Sequence, residues 1–417
     1  MNIQLKSSSN TGNISYDQPL IGQFNDVFPP IMDGVSVCVH NYAQWLHELM
    51  GAVKVITPQA PKHVYQEKYE ILPYASLPIP GRAPYRLGMP ACSPGYRNRL
   101  MQYDFGLVHA HCPFSSGKLA MEVSRRQGIP LVATFHSKYR DDFEESIPEW
   151  LRPLGLKETL IDRLLKQVVD FYENVDEVWV AQPAVADVLR DYGYKGPIEV
   201  VPHGNDFAID ESEYESYRLK ARSNLGLQSD EHVLLYVGQH INQKNLPFLI
   251  DSLRYVQGKF KMYFIGRGDA EQALKAAVEI YRLQDKVTFV GPVYEREVLK
   301  QYYAAADLFL FPSKYDTLGL VIYEAAALHT PSLLLQGSTS SHLVQNNIDG
   351  FFAPDNEEAF ASCINTLFSN PQKMSEAGLS ASRNMAHSWQ EVVEEVIDRY
   401  NALIYRQCKQ AHLIKRR

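Results

Sequence analysis

Cysteine is scarce in this chain. The 417 residues hold five, at positions 38, 92, 112, 363 and 408, an odd number with no Cys-x-x-Cys spacing. That argues against a disulfide framework and a cysteine-built zinc site, and fits a reducing compartment. Long hydrophobic runs are missing as well. The nearest approach, residues 318–335, is interrupted by Glu324 and His329, so no membrane-spanning helix is expected. The opening MNIQLKSSSNTGN is polar, which predicts no secretory leader and a cytoplasmic chain. Nor is there an excess of positive charge. The net charge is −7, and both halves lean acidic, with 19 basic against 22 acidic residues before position 206 and 22 against 26 from position 206 onward. No nucleic-acid partner is expected. No internal repeat with a period of 20–50 residues is visible.

What the chain has in abundance is alternation. Short apolar runs (20–24, 52–57, 105–110, 131–135, 177–181 and 198–201, then 232–237, 261–265, 287–290, 308–311 and 332–335) are separated by stretches with helical spacing of apolar residues. Strands alternating with helices predict parallel sheets covered on both faces. About six strands in each half predict two doubly wound α/β domains rather than one barrel. The polar stretch Asp206–Asp230 marks the boundary. The domains are therefore expected at 1–205 and 206–388, followed by one long helix over 389–417. Residues 58–94 carry eight of the 24 prolines, and 71–103 contain Arg82, Arg86, Arg97 and Arg99 without an acidic residue. This predicts an extended basic excursion from the first domain, either an irregular solvated loop or one that faces an acceptor or an anionic membrane. The basic tail RQCKQAHLIKRR is either a plain helix end, where basic residues suit the dipole, or a second candidate for membrane contact.

In open parallel sheets ligands bind past the carboxyl ends of the strands. The segments there are NDVFPPIMDGVS, HCPFSSG and HSKYRDDF in the first half, and GQHINQKN, GRG and PSKYDTLGLVIYEAAALHTP in the second. The last places Asp316 before a helix start near Leu318-Gly319, with Glu324 inside the helix. Free N–H groups at a helix start suit a phosphate, and flanking carboxylates suit sugar or ribose hydroxyls. A nucleotide-sugar needs both. His109 and His111 fall on one side of their strand, but no third metal ligand is evident nearby in sequence. Gly266-Arg267-Gly268 lacks the third glycine of a dinucleotide fingerprint.

Asp316, seven residues, then Glu324 resembles the carboxylate-x7-Glu signature of glycosyltransferase family four, retaining enzymes of the GT-B fold. Gly238 and Lys244-Asn245 resemble the family's segment after the first strand of its second domain. VPHGND (201–206) resembles its interdomain motif, and QGSTSSHLVQNNIDGFF its later Gly-Ser and Asn-Gly-Phe stretch. DVFPPIMDGVS, SLPIPGRAPYRLGMP, HAHCPFSSG and VATFHSKYRDDF are similar to the lipid-glycosylating branch, notably the diacylglycerol glucosyltransferases.

The resemblance implies a GT-B fold whose last helix crosses back to the first domain. It implies a hexosyltransferase using a nucleotide-sugar, UDP-glucose or UDP-galactose, and a lipid acceptor such as diacylglycerol or a ceramide-type lipid at the inner face of the cell membrane. Phosphatidylinositol, a polysaccharide intermediate, or a non-catalytic relative of the same fold are the alternatives. No metal and no cofactor is implied. Glu324 would take the ribose hydroxyls and Asp316 those of the donor sugar. Lys244 and the backbone N–H groups of Leu318 and Gly319 would hold the diphosphate. Gly34 would let the first domain approach it, and His136 would sit over the sugar. Catalysis would rest on His136, Asp316 and Lys244. Gln239 stands where the family usually has Arg, and cannot supply its charge; His240 or Arg267 would have to compensate. Asp316 stands where the family usually has Glu.

Overall fold

The computed structural model describes residues 18–31, 33–61, 63–79, 85–93, 95–147, 155–316 and 319–414. The first part of the chain forms β1 (Leu20–Phe24), β2 (Val53–Pro58), β3 (Glu70–Tyr74), β4 (Ser76–Pro78), β5 (Arg86–Gly88), β6 (Phe105–Ala110), β7 (Leu131–Phe135), β8 (Glu177–Val180) and β9 (Glu199–Val200). The second part forms β10 (His232–Val237), β11 (Phe260–Ile265), β12 (Val287–Gly291), β13 (Leu308–Phe311), β14 (Ser332–Leu335) and β15 (Gly350–Ala353). Two parallel sheets result, ordered β3-β2-β1-β6-β7-β8-β9 and β12-β11-β10-β13-β14-β15. Both are doubly wound α/β sheets, as the alternation predicts. Their central strands are buried on both faces, which is why they read as unbroken apolar runs.

Two strands of these parallel sheets escape the pattern reading. β3 lies in the proline-rich stretch and contains Pro73, yet pairs in parallel with β2 at the sheet edge. An edge position tolerates the missing N–H. Residues 70–74 thus belong to the sheet and not to an excursion. β15 is a four-residue run at the opposite edge of the other sheet. Further along the basic stretch, β4 and β5 pair as a small antiparallel hairpin with Leu77 directly opposite Leu87, while Arg97 and Arg99 lie on the short helix Tyr96–Leu100 and not in an extended segment. Both leucines are exposed, at 55% and 54%. Residues 80–84, with Arg82, lie outside the described residues.

The helix Trp389–Ile414 returns to the first domain. Trp389, Val392, Val393, Val396, Tyr400 and Leu403 fall at helical spacing and pack with Ile21, Val39, Tyr42 and Trp179 in one cluster. Val393 and Val396 are fully buried, each contributing about 1.5–3 kcal/mol. Tyr400 stacks on Trp179 with ring centroids 5.6 Å apart. The basic end of the tail, Lys415 to Arg417, lies outside the described residues. Among those residues no helix is long and apolar enough to cross a membrane.

Candidate active site

Strand order reverses between β10 and β13 in one sheet and between β1 and β6 in the other. Loops leaving two neighbouring strands in opposite directions open a crevice at their carboxyl ends, the usual ligand position in such sheets. The two crevices face each other. Gln182, just past β8, donates from Nε2 to the backbone carbonyl of Asp316, past β13, over 3.0 Å. Lys138, past β7, lies 4.9 Å above the Tyr315 ring.

On the second-domain side the chain leaves β10 at Gly238, whose φ is +150°. Gly266, after β11, has φ +127° and lies so close to the Gly238 carbonyl that any Cβ would collide with it. The GRG segment is therefore a packing device. The loops are pinned further by the His240 amide, which donates to the Arg267 carbonyl over 2.9 Å. Gly266→Ala is expected to lower stability by about 1–3 kcal/mol, read as a lower urea midpoint; an unchanged midpoint contradicts the packing argument.

Beyond this loop a single 3-10 turn, Asn242–Lys244, leads into the helix Leu246–Leu253. The turn delivers the Lys244 ammonium to the Asp316 carboxylate in an ion pair whose side chains are only 19% and 14% exposed. The ammonium also sits 5.3 Å above the Phe311 ring. Asp316 is held from several sides. Its Oδ1 accepts the Gly319 amide at 2.6 Å, and its own amide donates to Thr339 Oγ1 at 2.8 Å. Gly319 (φ +63°) precedes the helix Leu320–Ala327. Its N–H is thus committed to Asp316 here, and is not free as the reading of an open helix start supposes. Leu318 lies outside the described residues.

Glu324 sits one turn inside that helix, partly shielded, and its Oε2 accepts the Tyr303 hydroxyl at 2.8 Å. Loss of hydration pushes its carboxyl up to about 7, against the opposing pull of the Tyr303 bond and the Arg296 charge. Gln239 is exposed, and its carbonyl accepts the Tyr236 hydroxyl at 3.0 Å. His240 is fully buried against Phe264 and Phe289, and burial lowers its pKa below the usual histidine value. Its Nδ1 lies 3.4 Å from the Glu271 carboxylate, which opposes that shift. Arg267 is exposed on the adjoining loop.

On the first-domain side, Gly34 opens the helix Gly34–Met50, capped by Asp33, whose side chain accepts the Ser36 amide. One turn further, Cys38 enters a buried cluster with His111, His136 and His203. The Cys38 sulfur is 3.4 Å from His203 Nδ1, and His136 Nε2 is 3.0 Å from His111 Nδ1. Burial holds the Cys38 thiol well above its ordinary value, so it stays protonated, and brings His203 down to about 4. It also holds His111 and His136 well below the usual histidine range, reinforced by the neighbouring imidazoles. The cluster is uncharged near neutral pH.

One ligating atom from each of Cys38, His111 and His136 lies within 4.8 Å of the others, which is close enough to converge on an ion. This trio is not the His109–His111 pair that the strand alternation brings together. His109 spends its nitrogens on Tyr400 (2.6 Å) and Thr134 (2.7 Å). Cys38, the third member, has no sequence signal and joins only through folding. Asp26, in the polar segment after β1, is likewise consumed structurally: its carboxylate accepts the amides of Ser115 and Ser116 at the start of the helix Ser115–Gln127.

Residues 32–208 match the family described as Glycosyltransferase Family 4, and residues 218–384 match Glycosyl transferases group 1. The two matches are separated by residues 209–217, at the junction between the sheets, and together cover most of the chain. The chain belongs to glycosyltransferase family four. Among its curated relatives, Alpha-monoglucosyldiacylglycerol synthase of Streptococcus pneumoniae is 26% identical over 372 residues, covering 86% of this chain and 80% of that protein. The Acholeplasma laidlawii protein of the same name is 25% identical over 361 residues, covering 84% and 89%. In fold, this family-four chain resembles Anabaena HepE, solved in complex with UDP and glucose, with a TM-score of 0.72 at 17% identity over 92% of this chain and 100% of that one. Two facing parallel sheets with a returning last helix give it the GT-B fold, and the family matches make it a glycosyltransferase.

Proposed function

We propose that this family-four enzyme is a retaining, metal-independent hexosyltransferase. It moves a hexose from UDP-glucose or UDP-galactose to a lipid acceptor, diacylglycerol first and a ceramide-type lipid second. The observation that carries the reading is the shielded Lys244–Asp316 pair at the switch point, with Glu324 one turn into the following helix and His136 on the facing domain. Lys244 exchanges Asp316 for the donor diphosphate, and the released carboxylate accepts hydroxyls of the sugar. Glu324 keeps Tyr303 on one oxygen and offers the other to the ribose. The acceptor hydroxyl attacks the anomeric carbon from the leaving-group side. The bond to the diphosphate breaks as the new glycosidic bond forms, and the hydroxyl proton passes to the leaving phosphate oxygen. Lys244 and Arg267 offset the charge that develops there, while the Gly319 amide stays on Asp316, and Gly34 admits the first domain's backbone to the same phosphates.

The lipid acceptor is supported by the names of the relatives and by the hairpin β4–β5. Its exposed Leu77 and Leu87 sit in a stretch with arginines and no acidic residue, a combination suited to an anionic bilayer surface. Leu77→Ser with Leu87→Ser is expected to weaken co-sedimentation with phosphatidylglycerol-containing vesicles several-fold; undiminished co-sedimentation contradicts this role.

Nucleotide release from UDP-glucose and from UDP-galactose in EDTA, with and without diacylglycerol micelles, tests the function. Release that depends on the lipid and survives EDTA is expected. Release that stops with EDTA overturns metal independence, and none under any condition overturns the donor and acceptor together.

A further inference from the structure

The buried histidine cluster is joined to the C-terminal helix by a continuous hydrogen-bond chain. Gln23 donates from Nε2 to the Tyr400 hydroxyl over 3.2 Å. Its Oε1 lies 2.7 Å from His111 Nε2, and His111 Nδ1 lies 3.0 Å from His136 Nε2. All four side chains are at most 1% exposed. An amide oxygen can only accept, so His111 carries its proton on Nε2. A neutral imidazole has one N–H, so His111 Nδ1 is bare and accepts. His136 must then carry its proton on Nε2. Its Nδ1 is left as a lone pair, and that buried atom has no hydrogen-bond partner among the described residues. An orphaned acceptor at 1% exposure is costly unless something fills it.

We propose that Tyr400, Gln23 and His111 are positioning residues that lock His136 in the Nε2–H tautomer, so that its bare Nδ1 accepts a hydrogen bond from a hydroxyl of the donor hexose. The proposal rests on the reading of His136 as a donor-facing residue. It makes the last helix part of the active-site support, because Tyr400 fixes the amide that sets every later proton. His109 extends the same order: Tyr400, having accepted from Gln23, gives its proton to His109 Nδ1, and His109 Nε2 donates to Thr134 Oγ1. The 3.0 Å separation of His111 and His136 is that of a shared proton, which a metal ion at this place would displace.

Long-range proton–nitrogen correlation spectra of the full-length, ¹⁵N-histidine-labelled protein test the proposal, with His136→Asn used to assign the signal. A pyridine-type Nδ1 and a pyrrole-type Nε2 are expected at His136. A pyrrole-type Nδ1 overturns the proposal, as does a stoichiometric metal in the purified protein. In turnover, His111→Leu is expected to lower kcat about tenfold or more, and His111→Asn, whose amide oxygen can replace Nδ1, to recover most of that loss. Unchanged kcat in a folded His111→Leu protein also overturns it. An Nε2–H tautomer in a protein without transferase activity contradicts the function instead, so the two failures are distinguishable.

Discussion

Lys244→Ala is expected to lower kcat about 10²–10³-fold at saturating donor. The lysine sits in a shielded pair with Asp316, above the Phe311 ring. An ammonium with little surrounding water opposes charge on a leaving diphosphate far more strongly than one at an open surface. Gln239 adds no charge beside it. The effect belongs in turnover because the diphosphate gains charge as the glycosidic bond breaks, and a cation aimed there favours the transition state over bound donor. Asp316 keeps the Gly319 amide on Oδ1, so the variant is expected to remain folded. Lys244→Arg restores the charge without the geometry and should recover only part of the rate. Steady-state kinetics with a thermal melt of each variant decides the matter. A kcat within threefold of wild type in a folded Lys244→Ala protein contradicts the assignment.

Donor affinity should rise with pH and level off above about 7, because the Glu324 carboxyl is pushed up to about 7. The sign follows from what the ribose needs. Its hydroxyls donate, so they favour the carboxylate over the acid. Below pH 7 the free enzyme holds mostly the acid form, and binding must first remove a proton. Each pH unit below the pKa then costs about tenfold in affinity, so donor binds about tenfold more weakly at pH 6 than on the plateau. The same shift acts on folding. A carboxyl raised in the folded state favours the fold below its unfolded pKa, and this contribution is lost as pH rises from about 4.5 through 7. Titration calorimetry with UDP between pH 5.5 and 8.5 reads the affinity. Glu324→Gln should bind weakly and without this pH dependence; a flat wild-type profile contradicts the role of Glu324.

Much of the fold was legible because parallel strands covered on both faces leave short, unbroken apolar runs, as in His232–Val237 and Leu308–Phe311. The seventh strand of the first sheet was hidden by Pro73, which is tolerated only because β3 is an edge. At the site, Asp316, Glu324, Lys244 and His136 were visible as polar residues just past strands. Their couplings were not. The bond from Gly319 to Asp316 depends on a left-handed backbone that the residue names do not announce, and Asp26 looks free until the helix Ser115–Gln127 takes its carboxylate. The network around His136 joins Gln23 to Tyr400 across 377 positions. Only the return of the last helix brings that hydroxyl beneath the cleft, so no local spacing carries it.

The most direct test of the account is to isolate the product. The full chain is incubated in EDTA with UDP-glucose or UDP-galactose, radiolabelled in the sugar, and dioleoylglycerol, and the lipid extract is analysed by proton NMR. Label is expected in the lipid phase, in a hexosyl-diacylglycerol whose anomeric centre keeps the α configuration of the donor. A β-linked product contradicts retention. Label that stays wholly in the aqueous phase while nucleotide is released contradicts transfer to lipid.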